Sequence, residues 1–245
     1  MVNNLTNPLR WYQTWWGVLI IGLAVVVVVV VLGLGSITGY YTWKIKRGEG
    51  NEIARQLSHS VVETASTTIS NVRKELETDD DPVLGNSKAQ IVIVEFVDFK
   101  CPNCKIADPI IKKITQKYWS KIKVIARDFP AESLHPGASE LAVLASCAHS
   151  QGKYWALQDL LFANQDQLPA KLTELDMKNL LGQAGVDLVQ VQKCLGGVQV
   201  KTEINRDYAT GFKYGVRGTP TFFINGQKIE GVISLEAWEK FLGGL

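Results

Sequence analysis

One uncharged stretch constrains the organisation of this 245-residue chain more than any other feature. No charged side chain occurs from Trp11 to Trp43, and almost every residue from Trp15 to Gly35 is apolar. About 20 helical residues span the hydrocarbon core of a bilayer, where a helix satisfies its own backbone hydrogen bonds. The sequence therefore predicts a transmembrane anchor at residues 15–43, after a short N-terminal segment of residues 1–14.

The flanks of the stretch bear on this interpretation. Aromatic residues lie at both ends, as is typical of rings at the two headgroup layers: Trp11, Tyr12, Trp15, Trp16, Tyr40, Tyr41 and Trp43. The alternative is a cleaved signal peptide, whose apolar region usually runs roughly 7–15 residues and ends at small residues. The charges that flank the stretch bear on which side of the membrane the large domain lies. Lys44, Lys46 and Arg47 follow the stretch, which by the positive-inside rule would leave the large domain in the cytoplasm. This rule is weak for one span followed by a long folded domain, so the redox chemistry described below decides the predicted orientation against the flanking charges.

Residues 44–82 are expected to form a helical stalk or linker. Apolar residues recur every three or four positions and mark one helical face: Ile53, Leu57, Val61, Ala65, Ile69, Val72 and Leu76. That face requires burial against its own domain, a second chain or lipid. The acidic segment from Glu75 to Pro82 has no such periodicity, so we place the domain boundary there.

The remaining residues, 83–245, have the pattern of an α/β domain. Strands are predicted at 91–97 and 121–127, on either side of a helix at 101–118. Residues from about 137 to 214 are helical by periodicity and form an insertion. Strands at 221–224 and 227–230 then flank an Asn225-Gly226 turn, and a helix follows at 235–242. The small formal net charge of +2 gives no indication of nucleic-acid binding.

The pair Cys101 and Cys104 carries the predicted chemistry. It follows a strand and opens a helix, where unpaired backbone N–H groups and the helix dipole favour a thiolate at Cys101. Pro102 suits the first helical position because its missing N–H would be unpaired there. Cys104, one turn further on, would be the shielded resolving thiol. The alternative is half of a zinc site, but the sequence has no second pair of Cys or His at ligand spacing, and we expect no metal.

The segment from Ile91 to Lys105 resembles the DsbA-like branch of the thioredoxin superfamily, as does Arg217 to Gly226. His135-Pro-Gly-Ala and the segment from Gly152 to Phe162 resemble the helical insertion of that family. The resemblance covers residues from about 80 to 245. It implies a thioredoxin fold with an inserted helical subdomain, here preceded by one transmembrane helix and a stalk helix.

The resemblance also implies site residues. Pro220 would be cis and lie against the two cysteines, and the backbone of Thr219 would pair with an extended substrate peptide. With Gly218, Pro102 and Asn103, these residues form the expected substrate-binding surface. Asn103 stands where the best-known DsbA motif has histidine, so a less extreme Cys101 pKa and a less oxidising couple are expected.

Two acidic residues precede the cysteines. Glu95 occupies the position where thioredoxin-like proteins often carry a buried acid, and it is expected to act as general base for Cys104, unless it faces water at a strand edge. Asp98 would either disfavour the thiolate by its charge or cap the helix. Cys147 and Cys194, on helices of the insertion, would form a structural disulfide or be two unrelated buried thiols.

These features predict a thiol-disulfide oxidoreductase that forms or isomerises disulfides in exported proteins, with its catalytic domain outside the cytoplasm and no metal or organic cofactor. The resemblance implies a quinone-linked membrane redox partner that is DsbB-like or vitamin K epoxide reductase-like. The alternatives are an extracytoplasmic disulfide reductase and a non-catalytic peptide-binding adaptor. The equilibrium potential of the Cys101–Cys104 pair distinguishes the oxidase from the reductase.

Overall fold

The structure is a computed structural model that describes residues 15–44, 46 and 69–244. The chain divides into two compact units, residues 1–65 and residues 66–245. The N-terminal segment 1–14 and, of the predicted stalk at 44–82, residues 45 and 47–68 lie outside the described residues.

The first unit contains helix α1, Trp15–Lys44, which is 30 residues long. Its large apolar side chains are exposed along its whole length. By length and composition α1 can cross a membrane, a test that a signal sequence near the N-terminus would also pass.

The second unit is an α/β domain. Residues 69–76 form a helix, α2, at its start. The strands are β1 Val83–Gly85, β2 Ile91–Val97, β3 Ile122–Asp128, β4 Thr221–Ile224 and β5 Gln227–Glu230. The helices are α3 Pro102–Lys117, α4 Ala138–His149, α5 Tyr154–Ala163, α6 Glu174–Gln183, α7 Leu188–Leu195, α8 Gln199–Lys213 and α9 Leu235–Gly243, with a short 3₁₀ turn at Gln165–Gln167.

The five strands form one mixed sheet in the order β1-β3-β2-β4-β5. The central strands β2 and β3 are parallel, so the segments that follow them emerge at the same edge of the sheet. Strands β1, β4 and β5 are antiparallel to their neighbours. Asn225 and Gly226 both have positive φ and join β4 to β5, as the Asn-Gly pair predicts for a two-residue hairpin turn.

Both faces of the sheet are covered. Ile93, Val124 and Phe222 pack on one face with α3 and α9, while Val94, Ile125 and Phe223 point to the opposite face with Leu76 of α2. The alternation follows from the two-residue period of a strand. A third cluster of buried residues contains side chains from all the helices of the insertion, α4 through α8, together with Cys101 and Cys104. The helical insertion therefore covers the end of the sheet where β2 finishes.

The structure adds two features to the predicted pattern. Strand β1 is only three residues long, and it was not predicted because so short a segment shows no alternation of apolar and polar residues. In addition, α2 packs on the sheet through Val72 and Leu76, so the second unit begins before the boundary placed at Pro82.

Candidate active site

Cys101 stands immediately before α3, as the residue that caps its N-terminus. Pro102 is the first helical residue, where it costs no hydrogen bond because the first N–H groups of a helix lack partners. Cys101 is 5% exposed and Cys104 is fully buried, and both are free thiols. Of these two sulfurs, that of Cys101 is therefore the one within reach of another protein.

The segment before β4 faces this sulfur. The Thr219–Pro220 peptide bond is cis, and the Cys101 sulfur lies 3.1 Å from the Thr219 carbonyl oxygen, to which the thiol donates when it is protonated. Gly218 is exposed beside them, and its carbonyl accepts a 2.7 Å hydrogen bond from the Thr221 hydroxyl. The structure thus brings the segment from Gly218 to Pro220 to Cys101, and Pro102 and Asn103, which follow Cys101 in the chain, are exposed.

The surroundings of Cys101 stabilise its thiolate. A hydrogen bond from the Cys104 thiol lowers the pKa of Cys101 to about 5, against the opposing effect of burial. The Thr219 side chain and the backbone N–H groups of Cys104 and Asn103 contribute in the same direction. A sulfur with this pKa is ionised at neutral pH, as a nucleophile or leaving group in disulfide exchange has to be.

Cys104 is held in the opposite state. Burial raises its pKa well above the usual value, and its hydrogen bond to Cys101 and the nearby charges of Cys101 and Glu95 act in the same direction. At neutral pH the pair therefore consists of an outer thiolate and an inner thiol.

Glu95 lies on β2, on the face that α3 covers, and is 3% exposed. The pKa of its carboxyl is raised to about 8, chiefly by burial and further by the charge of Asp108, against the effect of Lys112. The structure therefore places Glu95 on the central strand, buried and close enough to Cys104 for its charge to act on that thiol, rather than at a strand edge facing water. An acid with this pKa exchanges a proton readily near neutral pH.

A cleft of about 850 Å³ opens beside Cys101. Its walls come from the loop after β3, from α8 and from the segment before Pro220, and they include Phe129, Leu134, His135, Tyr208, Phe212 and Thr219. Phe212 and Leu134 are 60% and 76% exposed, so the cleft presents apolar surface to solvent.

Two buried contacts near Cys101 were not predicted. The Gln165 side-chain amide donates to the carbonyl oxygens of Phe99 and Cys101, each at 2.9 Å. The Asp98 carboxylate accepts from the backbone N–H groups of Lys100 and Ala131 and contacts the His135 ring. Asp98 therefore holds the loops together instead of capping α3 with its side chain. For Gln165 no local pattern gave a signal, whereas His135 belongs to a motif that the sequence singled out only as family-like.

Cys147 of α4 and Cys194 of α7 are joined by a disulfide, with Cα atoms 5.8 Å apart. The bond links two helices of the insertion across 47 positions of sequence. It is separate from the two free cysteines.

Comparison with known proteins agrees with this geometry. A family described as Thioredoxin matches residues 77–243. Among curated proteins, the chain is 33% identical over 174 residues to Na(+)/H(+) antiporter NhaA 3 of Salinispora tropica, covering 71% of this chain and 26% of that protein. It is 32% identical over 163 residues to Na(+)/H(+) antiporter NhaA 1 of Salinispora arenicola, covering 66% and 24%. The chain thus spans about a quarter of the length of these relatives.

Solved structures show the same fold. A thioredoxin-like oxidoreductase from Silicibacter pomeroyi superposes with a TM-score of 0.61 at 25% identity, covering 70% of this chain and 96% of that one. The thiol-disulfide exchange protein alpha-DsbA2 from Wolbachia pipientis superposes with a TM-score of 0.63 at 22% identity, covering 74% of this chain and 96% of that one. The catalytic domain of Proteus mirabilis ScsC superposes with a TM-score of 0.61 at 20% identity, covering 73% of this chain and 96% of that one.

The family match covers more than half of the chain, and the structure has the mixed sheet, the inserted helices and the cysteine pair at a helix N-terminus. The chain therefore belongs to the thioredoxin family and has the DsbA-like form of the thioredoxin fold.

Proposed function

We propose that this protein is a thiol-disulfide oxidoreductase that forms or isomerises disulfides in exported proteins. The observation that carries the proposal is the Cys101 sulfur, which has a pKa of about 5 and lies 3.1 Å from the Thr219 carbonyl oxygen, in front of the buried Cys104 thiol.

In the oxidised enzyme, a substrate thiolate attacks the Cys101 sulfur. The Cys101–Cys104 bond breaks, and a mixed disulfide joins substrate to Cys101 while Cys104 leaves with the electron pair and takes up a proton. Glu95 is the proposed proton donor to Cys104. A second substrate thiolate then attacks the substrate sulfur of the mixed disulfide and releases Cys101 as a thiolate. The substrate has gained a disulfide, and the enzyme has become a dithiol.

The low pKa of Cys101 favours the oxidase direction over reduction. Stabilising the thiolate stabilises the reduced enzyme, which makes the oxidised enzyme a stronger oxidant. The pKa of about 5 lies between the values of roughly 7 for thioredoxin and roughly 3.5 for DsbA. A moderate oxidant or isomerase is the activity that this value supports.

The proposed location is outside the cytoplasm, with α1 as the membrane anchor. The Cys147–Cys194 disulfide supports an oxidising compartment. One of the similar structures is described as a periplasmic thioredoxin-like protein from Salmonella enterica. A membrane protein of the DsbB-like or vitamin K epoxide reductase-like kind would then reoxidise Cys101 and Cys104, and cysteine-containing exported proteins would be the substrates.

The test is to trap the redox state of Cys101 and Cys104 in intact cells with a thiol reagent that does not cross membranes. We expect Cys101 and Cys104 to be mainly oxidised at steady state. After brief reduction of the cells, we expect the two thiols to react with this reagent before lysis, because the domain lies outside the cytoplasm. Thiols that are reduced at steady state and react before lysis would indicate the reductase. A Cys101→Ser variant that retained full biological activity would instead support the non-catalytic adaptor.

A further inference from the structure

The imidazole of His135 lines the same cleft as the Cys101 sulfur. Because β2 and β3 are parallel, the loop that carries Asp98 and the loop that carries His135 emerge at the same edge of the sheet. The Asp98 carbonyl oxygen accepts from the Cys101 N–H at 3.1 Å, and its carboxylate contacts His135 Nδ1 at 2.8 Å. Asp98 thus connects the reactive cysteine to the imidazole.

The hydrogen bonds of Asp98 fix the orientation of the ring. The Asp98 side chain is fully buried, and its oxygens already accept from Lys100 and Ala131 N–H groups. A carboxylate that accepts at these positions requires a donor from the ring, so His135 Nδ1 carries the hydrogen. In the neutral ring Nε2 is then the basic nitrogen. The His135 side chain is 24% exposed and lines the same cleft as Cys101 and Thr219.

We propose that His135 is the acid–base residue for the substrate thiol that exchanges with Cys101. The inference rests on the proposed function. As the substrate sulfur attacks Cys101 of the oxidised enzyme, its S–H proton passes to His135 Nε2, the new S–S bond forms, and the Cys101–Cys104 bond breaks toward Cys104. In the reverse step His135 returns the proton to the departing substrate sulfur. No further oxidant or reductant is needed, because the enzyme disulfide accepts both electrons.

A substrate thiol needs an acid–base residue at this site because it is mostly protonated at neutral pH. An ordinary cysteine thiol has a pKa of about 8.5, so only a few per cent of it is ionised at neutral pH. Asn103, next to the reactive sulfur, has no acid–base function. Other charged and titratable groups that line the cleft are Glu132 of the same loop, Lys201 and Tyr208 of α8, and Arg217 before Pro220. The Glu132 carboxylate already accepts from the Gly137 and Ser139 N–H groups at 2.8 Å each.

The test compares the full chain with His135→Asn, whose amide can still donate to Asp98 but cannot take up a proton. The measurement is the second-order rate constant for the reaction of the oxidised protein with a cysteine-containing peptide, from pH 6 to pH 10. General acid–base catalysis contributes roughly 100-fold or more when fully expressed, and we expect the variant to be at least about 10-fold slower at pH 7. The two profiles should converge above about pH 9, where the peptide thiol ionises without help.

Profiles that coincide, or that differ by the same factor at every pH, would overturn the role of His135. If His135→Asn does not fold, the solvent deuterium isotope effect on the unmodified protein replaces it: a normal effect at pH 7 that disappears at pH 10 supports the proposal, and no effect at either pH overturns it. The proposed function fails separately, if Cys101→Ser exchanges as fast as the unmodified protein.

Discussion

The reactivity of Cys101 depends first on its neighbour. The hydrogen bond from Cys104 is the largest influence that lowers the pKa of Cys101. A hydrogen bond to a charged group is worth about 1.5–3 kcal/mol, which corresponds to roughly one or two pKa units. Removing this single donor should therefore be visible in a titration of the remaining thiol.

We predict that Cys104→Ala raises the pKa of Cys101 by about one unit or more, whereas Cys104→Ser, which keeps a donor, raises it less. The measurement is the thiolate absorbance near 240 nm as a function of pH for each reduced variant. Equal pKa values in the two variants would show that the hydrogen bond is not the main cause.

Glu95 provides a second prediction, on stability. Its pKa is about 8 in the folded protein against an ordinary value of 4.5, so the folded state holds the proton more tightly than the unfolded state. A raised pKa contributes stability that is fully present below pH 4.5 and is lost as the pH rises through about 8.

We therefore expect Glu95→Gln to remove part of the loss of stability between pH 5 and pH 8, by a few kcal/mol at the upper end. Denaturant unfolding at a series of pH values measures this difference. Glu236→Gln, at an exposed position of α9, is the matched control and should follow the unmodified protein. A Glu95→Gln curve parallel to that of the control would contradict the prediction.

The local sequence identifies some of these residues and not others. The spacing of Cys101 and Cys104 after a strand indicated their chemistry, because motif and helix N-terminus lie within a few residues. The contact between Asp98 and His135 joins positions 37 residues apart, and that between Gln165 and Cys101 joins positions 64 apart. Such contacts depend on how the loops pack in three dimensions and leave no local pattern.

At the level of elements, α2 is attached to the domain by a buried ionic network. Arg127 of β3 is 1% exposed, donates to the Glu75 carbonyl oxygen at 3.0 Å, and pairs with Asp207 of α8 and with Asp81. Burial, together with the charge of Asp207, raises the pKa of Asp81 to about 7. The network therefore holds more carboxyl groups than Arg127 alone neutralises.

We predict that Arg127→Met destabilises the protein by about 3–5 kcal/mol at pH 8, because Asp81 and Asp207 lose their buried cationic partner and keep only the longer contacts to the half-exposed Arg206. The loss should shrink toward pH 5, where those carboxyl groups take up protons. Lys117, 57% exposed and paired with Glu239 outside this network, is the control, and Lys117→Met should cost about 1 kcal/mol or less. Denaturant unfolding compares the two, and an equal cost for both would mean that burial of the network is unimportant.

The packing of α8 on the sheet gives another prediction. A Cβ at Gly211 would lie 2.8 Å and 2.9 Å from the rings of Phe96 and Phe129, whereas a Cβ at Gly182 of α6 would meet nothing within 4 Å. Both positions are helical, so alanine is favoured by propensity at each.

We expect Gly211→Ala to destabilise the domain by about 1–3 kcal/mol through overpacking, and Gly182→Ala to be neutral or to stabilise it by up to about 1 kcal/mol. Thermal unfolding of the two variants measures both effects. A stabilised Gly211→Ala variant would show that α8 can shift away from the sheet at little cost.

For the whole molecule, the sequence predicted the division into an apolar helix and an α/β domain, because these two parts differ in composition and period over tens of residues. The helical insertion followed from periodicity in the same way. The mutual placement of α4 and α7, which brings Cys147 and Cys194 together, depends on packing across the insertion. The cysteine positions therefore suggested a disulfide without specifying its geometry.

The last prediction concerns α1, which the proposed function requires as a retained anchor. If the helix is retained, the chain should stay in the membrane fraction after alkaline carbonate extraction, with the residues of α1 still part of it. Replacing Val26 and Val29 of α1 by arginine should abolish this retention, since each charge at the centre of a span costs about 2.5–3.5 kcal/mol of insertion. Leucine at the same two positions is the control and should leave retention unchanged. A shorter protein released by carbonate would instead identify α1 as a cleaved signal sequence, and the proposed anchor would then be wrong although the export of the domain would stand.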